Sequence, residues 1–519
     1  PLSATFYLFL NPYSHKTWYK NRGRITATCR PASCGRTLEN LDCACAEEQS
    51  MQARTVRPRV GVLALTLELY EQLVPGLRPA REAWLRQCVL PELEALAEVH
   101  FDQAVYSRAE IDRVVAQYEA QGADALLVIC LTYSPSQVAL PALRRTRLPI
   151  VIWNTQELLA VDQGFDTAKM IDNHGVHGTQ DLCNVLLRNG VPFEYVTSHP
   201  SDPLARQRLG DLLAAAAAAA AMRRARAGLI GYPFPGMGDF AVDTTHLAGT
   251  LGCQWAALSV QEYIDRCQAA PAEAVAQLQA EYCAEYELAD DLTPEDLEVT
   301  ARAEHAIRAM VAEHRLDALT YQFMAFGEDQ RTVTLPFVAA SRLMAEGLGF
   351  AGEGDLMGAL GTWLLGQLQS PASFTEIFTI DFAGNGLFMS HMGELNVAMA
   401  RTDRKVRLVA RPLPITRTLG RQLVLVASLQ PGPATLCALA MVAHGGWRLV
   451  CSRVRVEDFG PLPALYVPHF KIVLDSDVRD WLTAYANLGG PHHLAICFGD
   501  ARSRIQAAAR LLNADYCEV

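Results

Sequence analysis

The chain has 519 residues, half of them apolar and 19% charged; at about 100–200 residues per domain, that length predicts about three domains with real cores. The 45 basic and 56 acidic residues leave a net charge of −11 with the basic ones scattered, so the molecule's field repels phosphate backbones and argues against nucleic-acid binding. The longest apolar stretches are broken by Arg, Gly or Pro well before the ~20 residues a membrane span needs, which excludes a spanning segment.

Residues 1–50 show neither helical nor strand periodicity and carry four cysteines, Cys29, Cys34, Cys43 and Cys45, whose spacings fit the usual zinc-ligand pairs poorly. Met51 leads at once into patterned sequence, so 1–50 reads as a non-native or disordered N-terminal extension outside the fold; its run TFYLFL is too short for an export signal. The remaining cysteines sit largely in apolar runs, Cys130 in ALLVIC and Cys497 in LAICF. They read as free buried thiols of a cytoplasmic protein.

From residue 57 short β runs alternate with helical stretches: VGVLAL, helices over 79–97 and 108–120, ALLVIC, and PIVIW at 149–153. That alternation predicts a parallel sheet covered on both faces. An alanine-rich helix over 203–226 closes this first domain (51–226) and reads as a connector, because alanine favours helix but offers little side chain to pack. A second α/β set (227–372) begins with AGLIGY, and Thr293, Pro294 and Asp296 make a helix start in which Thr caps and Pro opens. After about residue 373 the runs FTIDF, GLFMSH, KVRLVA, QLVLVASL, WRLVCSRV and LYVPHFKIVL, separated by turn residues, predict a β-rich barrel or sandwich (373–519) closed by a helix over 500–512.

The phosphate-binding GxxxxGK[ST] loop, HExxH, GxSxG and CxxC are all missing. PFPGMGD at 233–239 has two glycines between strand and helix but lacks the third of a dinucleotide site, so a tight turn is the simpler reading. FGEDQ places Glu328 just beyond the strand LTYQF, where open α/β sheets present ligands, and FAGEGD sets Glu353 between glycines that let its side chain be aimed. His391 ends the strand GLFMSH on the face of Leu387 and Met389; of His492 and His493, neighbours on an extended segment, only one can readily enter a shared site. Two glutamates and two imidazoles suit a borderline divalent ion such as manganese. The same residues read equally as a solvated acid, a turn residue and polar groups near a core, and spacing alone does not bring them together.

At these residues the chain resembles the L-arabinose isomerase family, within the wider group of arabinose and fucose isomerases. FGEDQRTVTLPFVAASRLMAEGLGFAGEGD (326–355), SFTEIFTIDFAGNGLFMSHMGELN (373–396), GGPHHLAICF (489–498) and ELADDLTPEDLE (287–298) carry the likeness, which covers most of 58–519. It implies two doubly wound Rossmann-like α/β domains followed by a β-rich, barrel-like C-terminal domain, and a divalent ion, usually manganese, on Glu328, Glu353, His391 and His493. It also implies a homo-oligomer, a trimer-based hexamer, in which a neighbour's DNHGVHG segment offers His177, with Asn173 and His174 beside it, to the sugar. Those residues are otherwise an ordinary helix-cap loop. Where the family has a Gln-His pair before Leu-Tyr, this chain has Leu67 and Glu68, in a region that touches the sugar.

The activity so implied is aldose–ketose isomerisation of an open-chain sugar such as L-arabinose through a cis-enediol, with Glu328 and Glu353 as the proton-transferring pair. Isomerisation of a fucose-like sugar on the same scaffold and sugar binding without catalysis are the competing readings. Metal content separates the binding protein from either enzyme.

Overall fold

The structure, a computed structural model, describes residues 57–519 apart from positions 330 and 412. The readings for residues 1–50, including Cys29, Cys34, Cys43 and Cys45, lie outside the described residues.

The first sheet holds β1 (Arg59–Leu65), β2 (Glu98–His100), β3 (Ala125–Cys130), β4 (Ile150–Asn154) and β5 (Phe193–Thr197), all parallel in the order β2-β1-β3-β4-β5. Every residue of β3 is buried: an uninterrupted apolar strand needs helices on both faces, and the sheet supplies that environment. The single helix expected over 79–97 is instead divided, with a wide π-turn at Leu85–Val89 between Leu77–Trp84 and Leu90–Glu94. Pro91 cannot donate to the carbonyl four residues back and its ring crowds it, which opens the turn before it.

The alanine-rich helix Pro203–Met222 is no loose connector. Leu209, Leu213, Ala215, Ala216, Ala218, Ala219, Ala220 and Met222 are buried, and the helix packs on those at Arg502–Leu511 and Leu356–Leu368. Methyl-sized side chains are what let three helices approach closely.

In the second sheet β6 (Arg226–Ile230) and β7 (Gln254–Leu258) are followed by a stray two-residue strand, β8 (Glu287–Leu288), and then β9 (Ala318–Tyr321) and β10 (Gly349–Ala351). The sheet runs β10-β9-β6-β7, again parallel. The expected start at Thr293 is a full capping box: the Thr293 hydroxyl accepts from Asp296 N–H and the Asp296 carboxylate accepts from Thr293 N–H, opening the helix Pro294–His314.

The C-terminal region contains β11 (Ala372–Asp381), β12 (Gly386–Ser390), β13 (Arg407–Arg411), β14 (Gln422–Val426), β15 (Gly432–Met441), β16 (Trp447–Val456), β17 (His469–Leu474), β18 (His493–Phe498) and β19 (Asp515–Glu518). Six of these close an antiparallel barrel, β11-β12-β17-β16-β15-β18 and back to β11, with β19 added parallel to β16. β13 pairs with β14 on one side and β8 on the other in a separate three-stranded sheet. Alternate residues of β15 and β18 divide between two cores, Leu436 and Ile496 in one, Cys437, Leu439 and Cys497 in the other. The helix Leu356–Leu368, almost wholly buried, runs between β10 and the barrel strands β11, β15 and β18. Its N-terminus therefore lies where the second sheet's strand ends meet the barrel.

Candidate metal centre and active site

Four segments converge at that junction. Glu353 stands on the turn leaving β10 with φ of 62°, a left-handed conformation that costs a non-glycine residue ~1–3 kcal/mol and persists only where the surroundings impose it. Its carbonyl accepts from Phe234 N–H at 2.9 Å, and Gly354 N–H donates to the Tyr321 carbonyl at 3.1 Å. A Cβ on Gly354 would lie 2.5 Å from the Tyr232 carbonyl oxygen, so this glycine is required for the loop at 233–239 to press against the turn. The two glycines aim Glu353 as the sequence suggested.

The barrel supplies the rest. Glu376 on β11 lies directly opposite His493 on β18 and opposite Ser390 at the end of β12, with His391 the next residue. Directly opposed residues of antiparallel strands project from the same face, which puts Glu376 and His493 together. One ligand atom from each of Glu376, His391 and His493 lies within 4.8 Å of the others, and the same holds for Glu353, His492 and His493. His493 belongs to both groups; its Nε2 is 3.8 Å from Glu353 Oε2.

Both barrel histidines are buried and fixed from behind. His391 Nδ1 lies 2.6 Å from Glu394, whose other oxygen accepts from the Tyr321 hydroxyl at 2.5 Å. His493 Nδ1 lies 3.0 Å from Asp355, which also caps the buried helix by accepting from Gly358 N–H. With each carboxylate accepting, each ring presents Nδ1–H to it and turns Nε2 inward. Those two Nε2 atoms have no hydrogen-bond partner despite their burial, an arrangement costing ~1–3 kcal/mol apiece unless something fills it. Phe374 sets its ring edge-on to both imidazoles at 4.7 and 4.9 Å, and Phe240 stacks on His493.

Burial presses the His391 imidazole down, but Glu394, Glu376 and Glu353 outweigh it and lift the ring to about 8. Burial, reinforced by the charge of His492 and His391, holds His493 well below the usual imidazole value. Burial also pushes both glutamates up. At Glu353 the three imidazoles overcome it and leave the carboxyl below its ordinary value, whereas Glu376 stays raised. Asp355, wholly buried, is pushed up to about 7.

His492 also reaches the site. Its Nδ1 and backbone N–H meet Asp239 at 2.5 and 3.1 Å, and its Nε2 lies 4.0 Å from Glu353. The alternation expected to exclude one of the pair does not apply, because β18 begins at His493 and His492 belongs to the preceding turn. The loop 233–239, read as a tight turn, delivers that aspartate.

Of the four residues expected to hold a metal, Glu353, His391 and His493 come together and Glu328 does not. The segment after β9 coils into the short helix Phe323–Glu328, leaving Glu328 exposed at its end. Its carboxylate accepts from the Tyr232 hydroxyl at 2.5 Å and borders an open hollow of about 560 Å³ beside Asp329 and Arg331. Glu376, on the face of Phe374 in β11, takes the fourth place.

The nominated sugar-binding residues sit in the first domain. Asn173 is consumed as a brace, accepting from Leu158 N–H at 2.7 Å and donating to the Lys169 carbonyl at 2.8 Å. His174 uses both nitrogens, on the Ile171 carbonyl at 2.6 Å and the Tyr70 hydroxyl at 2.8 Å. His177 is exposed, its ring near those of Tyr133 and His174.

A family model described as the L-arabinose isomerase central domain matches residues 231–364, and one described as the L-arabinose isomerase C-terminal domain matches residues 371–515. Proteins named L-arabinose isomerase are similar over most of the chain. The one from Nocardioides sp. is 31% identical over 383 residues, 70% of this chain and 74% of the relative. That from Acidothermus cellulolyticus is 28% identical over 410 residues (76% and 80%), and that from Geobacillus kaustophilus 27% over 462 residues (86% and 90%).

Proposed function

The chain belongs to the L-arabinose isomerase family, and from that premise we propose that it is an aldose–ketose isomerase acting on L-arabinose with a divalent ion, manganese first among the candidates. The observation that carries the metal reading is the pair of buried, unpartnered Nε2 atoms of His391 and His493 facing two carboxylates. Glu353, Glu376, His391 and His493 would hold the ion; an oxygen and nitrogen donor set of this kind suits a borderline cation, and Glu328 has no place in it. When bound, such an ion supplies a Lewis acid for the oxygens on the first two sugar carbons.

Isomerisation moves a proton between adjacent carbons and needs a base for the carbon acid and a second group for the hydroxyl proton. The environments of the two glutamates push their affinities for protons apart, the pattern expected of a base and its acid partner. Glu353, held ionised by imidazoles, takes the carbon-bound proton to give a cis-enediol, and Glu376, raised by burial, manages the hydroxyl proton. Glu394 and Asp355 orient the rings that stand between them and the sugar, while Phe374 and Phe240 keep water from the buried side. His177 of a neighbouring copy in a homo-oligomer is the first domain's best contribution to sugar binding, since its ring is exposed.

The test is ketose formation from a panel of pentoses and 6-deoxyhexoses with added manganese. L-Arabinose is expected to lead the panel, and Glu353→Gln and Glu376→Gln are expected to lose turnover by orders of magnitude with folding retained. Near-normal turnover in both variants contradicts the assignment.

A further inference from the structure

The first sheet carries a second feature, at the end opposite its ligand-presenting strand termini. The loops entering β4 and β5, the turn after the helix Pro203–Met222 and Leu511 of the C-terminal helix enclose a cavity of about 390 Å³. Three arginines line it, Arg144, Arg147 and Arg223, and no carboxylate does. Among the described residues none of the three pairs with an acid, whereas their sequence neighbours Arg145 and Arg224 are paired with Asp112 and Asp124. Glu119, which approaches the same loop, is engaged by the Thr146 hydroxyl and the Arg147 N–H.

Arg223 is the anchor. Its guanidinium donates to the Arg147 carbonyl at 2.7 Å and the Leu511 carbonyl at 2.8 Å, which stitches the first sheet to the C-terminal helix. Burial with no carboxylate beside it holds its pKa below the usual guanidinium value. A desolvated cation is normally paired, yet the half-buried Arg223 meets only backbone carbonyls, and the exposed Arg144 and Arg147 border the same cavity with no acid among its lining residues. Planar guanidinium forks match phosphoryl oxygens in geometry as well as charge.

We propose that this cavity binds a small phosphoryl-bearing anion, gripped by Arg144 from the last turn of the helix Ser136–Arg145, by Arg147 from the loop before β4 and by Arg223 from behind. The ligand so held ties the first sheet to the C-terminal helix, so its binding is read in thermal stability. The proposal does not depend on the isomerase reading.

The test is calorimetric titration of the full chain at low salt, with no divalent ion added, using inorganic phosphate, pyrophosphate and ribose 5-phosphate as probes. At least one probe is expected to bind saturably at one site per chain and raise Tm, and the tightest probe identifies the source of the phosphoryl group. The double variant Arg144→Ala/Arg147→Ala changes two exposed side chains. It is expected to keep the unliganded Tm and to weaken binding by about tenfold or more, as the loss of two charge-assisted contacts requires. The double variant Lys405→Ala/Arg455→Ala, which removes exposed cations elsewhere, is expected to bind as wild type does. Absence of saturable binding in the wild type, or equal binding by both double variants, overturns the proposal.

Discussion

Gly352→Ala offers a sharp test of how the site is held. A Cβ at this position would lie 2.4 Å from His391 Cε1 and 2.7 Å from Nε2. Ordinary carbon contacts lie at about 3.5–4.0 Å, so the imidazole has to retreat by ~1 Å. It has nowhere cheap to go, because Nδ1 is bonded to Glu394, Phe374 meets the ring edge-on, and the residue is buried. Gly352 is outside the left-handed region, so the substitution brings contact strain without backbone strain. Displacing the ring sacrifices a hydrogen bond to a charged group, worth ~1.5–3 kcal/mol, and misdirects a ligand whose supporting contacts are typically worth ~10–100-fold in metal affinity. Manganese titration by calorimetry is expected to show affinity reduced by about that factor, with a lowered Tm but a native far-UV spectrum. The control Gly249→Ala, whose Cβ meets nothing within 4 Å on an exposed helix, should leave metal affinity alone and stabilise by ~0.5–1 kcal/mol. Wild-type manganese affinity in Gly352→Ala would refute the reasoning.

Three further outcomes follow from the same geometry. Glu394→Gln keeps the shape but removes the charge that faces His391 and Tyr321; metal affinity should fall by ~10–100-fold in the same titration. Glu328→Gln, altering an exposed acid bonded only to Tyr232, should leave manganese affinity within about twofold of wild type, since surface changes away from a site have small effects. Metal binding should also weaken with acid: His391, lifted to about 8, holds its proton below that pH and the ion has to displace it, so apparent affinity drops by about tenfold per pH unit as pH falls beneath 8. A flat profile between pH 8 and 6 contradicts that assignment.

Much of the fold was legible because its strands are buried on both faces. ALLVIC and PIVIW read as continuous apolar runs for the same reason that they lie inside a parallel sheet, and the capping box at Thr293 is local chemistry. The aim of Glu353 was legible too, through the glycines on either side. Glu376 was not, because its role comes from strand register: it faces His493, which follows it by more than a hundred residues, only once β11 and β18 pair. Glu328 misled for the converse reason, since a position beyond a strand end promises a ligand only if the chain stays extended, and here it coils into a helix. Asp239 reached His492 and Glu394 reached Tyr321 through contacts that are also remote in the chain. The strand Gly432–Met441 and the helix Val478–Asn487 went unread because small and aromatic residues blurred their periods.

Pulsed electron paramagnetic resonance of the chain titrated with one equivalent of manganese addresses the centre itself, since directly bound imidazole nitrogens couple to the ion. The spectrum is predicted to show two nitrogen couplings, one lost in His391→Ala and the other in His493→Ala, with the bound signal itself depleted in Glu376→Gln. A manganese signal without nitrogen couplings, or one unchanged in all three variants, would place the ion elsewhere and contradict the account.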